Sequence, residues 1–146
     1  SRARIGGRVS SLAARFADEH APGAFMAPRI GYVAVASDAV TGSPTGNGRE
    51  RIAFRLYREL LGDVDRAPEG DGLVPIKSAT LPGARRIVLD GIAHGPGSGQ
   101  EWYGSDSAMD VWWPEAVDAW RAAICHRAAE TFEGRATGAE RGCRAG

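Results

Sequence analysis

Ile30-Gly31-Tyr32-Val33-Ala34-Val35-Ala36-Ser37 carries the strongest architectural signal in this chain. It is apolar almost throughout, carries β-branched valines, and does not alternate with polar residues. A strand with one wet face alternates. A run this short that does not alternate reads as a strand buried on both faces, as in a parallel sheet. After it comes a turn-forming loop, Thr41-Gly42-Ser43-Pro44-Thr45-Gly46-Asn47-Gly48. Arg51 to Leu61 then has helical spacing, with Ile52, Leu56 and Leu60 on one stripe and Ala53 and Tyr57 beside it. Ile87-Val88-Leu89 is a second strand candidate, entered from Pro82-Gly83 and left at Asp90-Gly91. A helix and long loops between two strands describe a crossover between parallel neighbours. The expected class is therefore α/β, with a short parallel sheet segment of two to three strands flanked by helices.

On the N-terminal side, Val9, Leu12, Ala13 and Phe16 predict a helix over Val9–Ala17, ended by Ala21-Pro22-Gly23. On the C-terminal side, Ser107-Ala108-Met109-Asp110 has the composition of a helix start. Met109, Trp112, Trp113, Ala116, Val117, Trp120, Ala123 and Ile124 then hold a helical stripe, with Trp113 and Trp120 expected to pack on the sheet. Pro114 predicts a kink, or a helix that begins near Trp113. Beyond that stripe the Gly/Arg/Ala-rich sequence loses its periodicity. Residues 1–126 read as one partial domain and 127–146 as a disordered tail.

The 146 residues suit a single core, and 43% apolar with 25% charged is a globular composition. Lys plus Arg equals Asp plus Glu at 18 each, which gives no electrostatic reason to expect nucleic acid. No apolar run approaches a membrane span. Cys125 and Cys143 match no zinc or redox spacing, and no cofactor or metal is expected. The acidic residues Asp63, Asp65, Glu69 and Asp71 lack the regular spacing of a calcium loop and read as a solvated stretch.

Two short stretches carry the chemistry. In Gly70-Asp71-Gly72-Leu73-Val74-Pro75 an acid sits between glycines, whose backbone freedom permits a sharp turn. In Gly91-Ile92-Ala93-His94 a histidine follows the second strand candidate and enters a Gly-rich loop. An acid that accepts the imidazole Nδ1–H holds the tautomer, and the histidine can then take and return a proton. Gly-Asp-Gly alone is also an ordinary turn, and a loop histidine an ordinary surface group. Their order after a buried strand gives the pair its interest. Trp102 and Tyr103 follow the histidine loop closely and are candidates for the rim of a substrate site, with plain packing the alternative. His20 and His126 lie on helices with no acid placed beside them by pattern, and read as surface residues. A Gly-x-Ser-x-Gly elbow is absent from the sequence: Ser43, Ser98 and Ser105 each directly follow a glycine.

Taken together, Pro22-Gly23-Ala24-Phe25, Tyr32-Val33-Ala34-Val35-Ala36, Thr45-Gly46-Asn47-Gly48, Gly70–Pro75, Leu89-Asp90-Gly91-Ile92-Ala93-His94 and Trp102-Tyr103-Gly104-Ser105 come in an order that resembles a branch of the α/β-hydrolases. The branch is lipase-like and is found, often plastid-targeted, in plants, algae and cyanobacteria. The resemblance runs from about Ser11 to Trp120. It implies the C-terminal half of a serine hydrolase acting on ester or lipid substrates, in the plastid or cytoplasm. Asp71 and His94 would hold the acid and base positions of a triad. The family's nucleophile elbow and oxyanion loop would precede this region, so the chain is expected to be inactive alone. The competing expectations are a non-catalytic α/β-hydrolase-like binding module, a truncated gene product without activity, and a structural fragment that folds only by packing on another chain.

Overall fold

The computed structural model describes residues 15–16, 19–62, 67–97 and 99–142, the last ten of these by backbone alone. The helix expected over Val9–Ala17 lies outside the described residues except for Arg15 and Phe16. The architecture is α/β. Strand β1, Val33–Ser37, pairs in parallel with β4, Arg85–Leu89, from Val33 opposite Arg85 to Ser37 opposite Leu89. Both strands occupy the apolar runs picked out above, each trimmed or extended by a few residues. The ladder continues at both ends: Arg85 N–H donates to the Tyr32 carbonyl, and Asp38 N–H donates to the Leu89 carbonyl at 3.3 Å.

Between these strands the chain makes an excursion. β2, Val40–Thr41, lies antiparallel to β3, Glu69–Gly70, with Val40 opposite Gly70. Helix α1, Gly48–Leu61, joins them, and the short helix α2, Ile76–Ala79, follows β3. The two-residue ladder brings the start of the acid-bearing loop back beside the C-terminal end of β1, which periodicity does not reveal.

Helix α1 begins three residues earlier than the apolar pattern, because Asn47 caps it. The Asn47 Oδ1 accepts from the N–H groups of Arg49 (2.9 Å) and Glu50 (3.1 Å), while Glu50 Oε2 accepts from the Asn47 N–H at 2.9 Å. This reciprocal box satisfies N–H groups that a helix start otherwise leaves without partners. Asn47→Ala is expected to lower stability by about 1 kcal/mol and Asn47→Gly by a few tenths, read from urea midpoints at constant m-value. The buried stripe of α1 is Ala53 and Tyr57, which pack with Val40. Ile52 and Leu60, expected on the buried side, face outward. The reason is that the helix lies over the β2 end of the excursion, so the contact is made by the residues beside the predicted stripe.

Helix α3 runs from Asp106 to Gly142 and passes through Pro114 without ending. Met109 N–H donates to the Ser105 carbonyl, so the first turn forms upstream of Trp113. It also continues through most of the stretch expected to be a disordered tail, whose Ala, Glu and Arg residues are strong helix formers even without an apolar period. Residues 143–146, with Cys143, lie outside the described residues. Ala108 and Trp112 pack with Leu89, Ile92, Val35 and Ile87 in the second core cluster. Trp113 and Trp120, expected on the sheet, are 53% and 60% exposed. The inward stripe of α3 runs through Ala108, Trp112, Ala119 and Ala123, with Ala119 against Gly31, so Trp113 and Trp120 fall on the outward side of the helix. Among the described residues no helix is long and apolar enough to cross a membrane.

Candidate functional site

Asp71 and His94 meet at the carboxyl ends of β1 and β4. His94 follows β4 by five residues, and Asp71 follows β3, which the β2 ladder holds near the end of β1. His94 Nδ1 lies 3.0 Å from Asp71 Oδ2. The backbone joins the two loops as well, with His94 N–H donating to the Asp71 carbonyl at 3.1 Å. Asp71 is therefore not part of a solvated acidic stretch. It is 5% exposed, whereas the His94 side chain is nearly half exposed. Asp63 and Asp65 lie outside the described residues, and Glu69 is exposed.

The carboxylate is surrounded by donors. Oδ1 accepts from the N–H groups of Leu73 (2.9 Å) and Val74 (2.8 Å), and Oδ2 accepts from His94 and from the Tyr103 hydroxyl at 3.1 Å. Burial by itself would raise the Asp71 pKa. The Val74 N–H, the His94 hydrogen bond, the Leu73 N–H and the imidazole's charge outweigh it, and hold the carboxyl below its ordinary value. An ionised Asp71 only accepts, so Nδ1 of His94 carries the proton. In the neutral ring Nε2 is then left as the base.

The turn that presents Asp71 is built from glycine and tyrosine. Gly72 adopts φ +102°, a region that residues with a Cβ rarely enter. Tyr57, fully buried on α1, sits beneath the turn: its hydroxyl accepts the Gly72 N–H at 2.8 Å and donates to the Val40 carbonyl at 3.4 Å. Burial, together with the nearby Asp71 charge, raises the Tyr57 phenol above its usual pKa, while the Gly72 N–H and Arg49 pull the other way. The phenol thus stays a neutral strut.

A cavity of about 320 Å³ opens beside the pair, lined by Val35, Val74, Ala79 and Trp112 with Asp71, His94 and Tyr103 at its polar edge. The structure separates the two aromatic candidates. Tyr103 lines the cavity and binds Asp71, while Trp102 turns its ring over Gly104 and is not among the cavity walls. Trp102 still matters to the site, because its backbone bridges Ala93 and so supports the histidine loop. Ser105 donates its hydroxyl to the Trp102 carbonyl at 2.7 Å.

The residues that the sequence reading missed are the supports. Tyr57 was visible as a helix position but carried no sign of its contact with the turn. Trp112 donates its indole N–H to the Tyr103 carbonyl at 2.9 Å, tying the start of α3 to the site. His20 stacks on Phe16 with ring centroids 4.1 Å apart, well away from the pair in the chain. His126 has an acid after all, Glu130 at 3.7 Å one helical turn on. Among the described residues no group of three or more His, Cys, Asp or Glu is placed to hold a metal ion. In comparisons with known proteins, no family model, no curated protein and no solved structure matches the chain.

Proposed function

We propose that this chain supplies the acid and the base of a serine hydrolase acting on ester bonds, lipids included, as the C-terminal part of an α/β-hydrolase fold. The observation that carries the reading is the buried, fully hydrogen-bonded Asp71 carboxylate 3.0 Å from Nδ1 of a half-exposed His94. In this role Asp71 fixes the tautomer and stabilises the imidazolium. Nε2 of His94 takes the proton from a serine hydroxyl as it attacks the carbonyl, then returns it to the leaving alkoxide. The His94 loop leaves the carboxyl end of the parallel strand β4, and the β2–β3 ladder brings the Asp71 loop to the same edge of the sheet, where open α/β sheets bind their ligands, which supports the reading. The cavity beside the pair, mostly apolar, suits an acyl group. The nucleophile and the oxyanion donors belong, on this proposal, to polypeptide outside these 146 residues.

The test is labelling of the intact polypeptide, encoded together with its upstream reading frame, by a fluorophosphonate probe. Peptide mapping is expected to find one modified serine, outside the present sequence and within a Gly-x-Ser-x-Gly context. A folded intact protein that takes up no probe would sink the proposal.

A further inference from the structure

We propose that Tyr103 is a positioning residue for the Asp71–His94 pair, its hydroxyl occupying the second acceptor site of the oxygen that His94 uses. By sequence Tyr103 is a candidate for the rim of a substrate site or for plain packing, and the geometry gives its polar end a different task. Its hydroxyl lies 3.1 Å from Asp71 Oδ2, beside the His94 Nδ1 at 3.0 Å on the same atom. The two backbone N–H groups on Oδ1 fix the plane of the carboxylate. Without Tyr103, one side of Oδ2 would face the cavity and water would compete for it.

Tyr103 is itself held in place. Its ring belongs to the core cluster formed by Leu89, Ile92 and Ala108, and its carbonyl accepts the Trp112 indole N–H. Burial, the Asp71 charge and the hydrogen bond to that carboxylate push the phenol well above its ordinary pKa, with a smaller contribution from Tyr57. The hydroxyl therefore keeps its proton, and stays a donor, at neutral pH. A neutral donor on Oδ2 shares the charge that would otherwise act on the imidazole proton alone. Tyr103 thus sets how strongly Oδ2 draws that proton, and it ties this setting to the first turns of α3.

The test reads the pair directly and does not depend on turnover. In the full polypeptide, the Nδ1–H proton of His94 is followed by NMR and assigned by its loss in His94→Ala. In Tyr103→Phe, which keeps the ring and the cavity wall, Oδ2 loses a donor and the resonance is expected to move downfield. Replacing the three tyrosines by 3-fluorotyrosine keeps every hydroxyl but makes each a stronger donor. The resonance is then expected to move upfield. Opposite displacements support the inference, while a resonance unmoved in both proteins, or moved in the same sense, overturns it. The fluorinated protein retains the wild-type contacts and covers the case in which Tyr103→Phe does not fold.

The catalytic consequence rests on the hydrolase reading. In the active protein, Tyr103→Phe is expected to lower kcat about tenfold with KM nearly unchanged, the pattern of an interaction that acts in the transition state. Failure of the probe labelling would remove the hydrolase reading and leave the NMR result standing. An unmoved resonance in a protein that labels normally would remove only the role of Tyr103.

Discussion

Asp71→Asn is expected to lower kcat/KM by about four orders of magnitude in the polypeptide that carries the nucleophile, although the two side chains have the same shape. The reason lies in the other carboxylate oxygen. Oδ1 accepts two backbone N–H groups, from Leu73 and Val74, so an asparagine must place its own oxygen there. Its NH2 then points at His94 and at the Tyr103 hydroxyl, where two donors already aim. The imidazole can answer only by moving its proton to Nε2, and the base needed to activate a serine is lost. The ¹⁵N shifts of the His94 ring should report that change of tautomer directly. His94→Ala should abolish fluorophosphonate labelling, and labelling at the wild-type rate in that variant would remove His94 from the mechanism.

The same substitution has a pH signature in stability. The Asp71 carboxyl is held below its ordinary value in the folded chain, so the unfolded chain binds its proton more readily. Its contribution to stability is complete above the unfolded carboxyl value and is lost as pH falls through the lower, folded one. Asp71→Asn should cost about 2 kcal/mol near neutral pH, the worth of hydrogen bonds to a buried charge. It should also flatten the acid limb of the stability curve. An acid limb of equal slope in wild type and variant would assign that slope to other groups.

Gly70→Ala is expected to be the most damaging single methyl addition near the site. A Cβ at Gly70 would lie 2.2 Å from the Val74 carbonyl oxygen, 2.7 Å from the Tyr57 hydroxyl and 2.8 Å from the Pro75 Cα. Two of these are backbone atoms of the turn itself, and the third is a buried strut already bonded on both sides. None can swing away as a flexible side-chain end can, so the turn must open. The expected loss is about 3 kcal/mol, at the upper end for overpacking. The Asp71–His94 bond is expected to break with it, because the Asp71 N–H to Val74 carbonyl bond closes the same turn. Gly48→Ala is the control: nothing lies within 4 Å of a Cβ there, at the first residue of α1. Urea midpoints within about 0.5 kcal/mol of each other for Gly70→Ala and wild type would refute the steric account.

The open sides of the molecule fit the proposal that a second polypeptide segment completes it. Among the described residues β1 and β4 pair only with each other, and each leaves one edge without a strand. Val88, Val111, Trp113 and Trp120 are exposed to a degree unusual for large apolar side chains. Unpaired strand edges and apolar surface are what an α/β sheet covers with further strands and helices.

Short-range signals in the amino-acid chain carry its local grammar. The unalternating run at Ile30–Ser37 specified a strand, and the helix and loops before Ile87–Leu89 specified a parallel neighbour, although β4 is not buried on both faces: Arg85, Arg86 and Val88 are exposed. The order of Gly70-Asp71-Gly72 and Ala93-His94 after those runs named both members of the pair. Both signals are short-range: they depend on spacing and on residue chemistry, which a chain carries with it before it folds. Only the tertiary structure decided what surrounds them. The stripe of α1 that is buried, Ala53 and Tyr57 rather than Ile52 and Leu60, depends on which side of the helix meets β2. The tryptophan that packs, Trp112 rather than Trp113 or Trp120, depends on which side of α3 faces the core. Tyr103 touches Asp71 from 32 positions further along the chain, and Tyr57 reaches Gly72 from 15 positions before it. No periodicity encodes such contacts, since they exist only once two loops and two helices share a volume. The pairing candidates Asp71 and His94 were legible in the chain, and the donors that make Asp71 a buried, ionised acceptor were not.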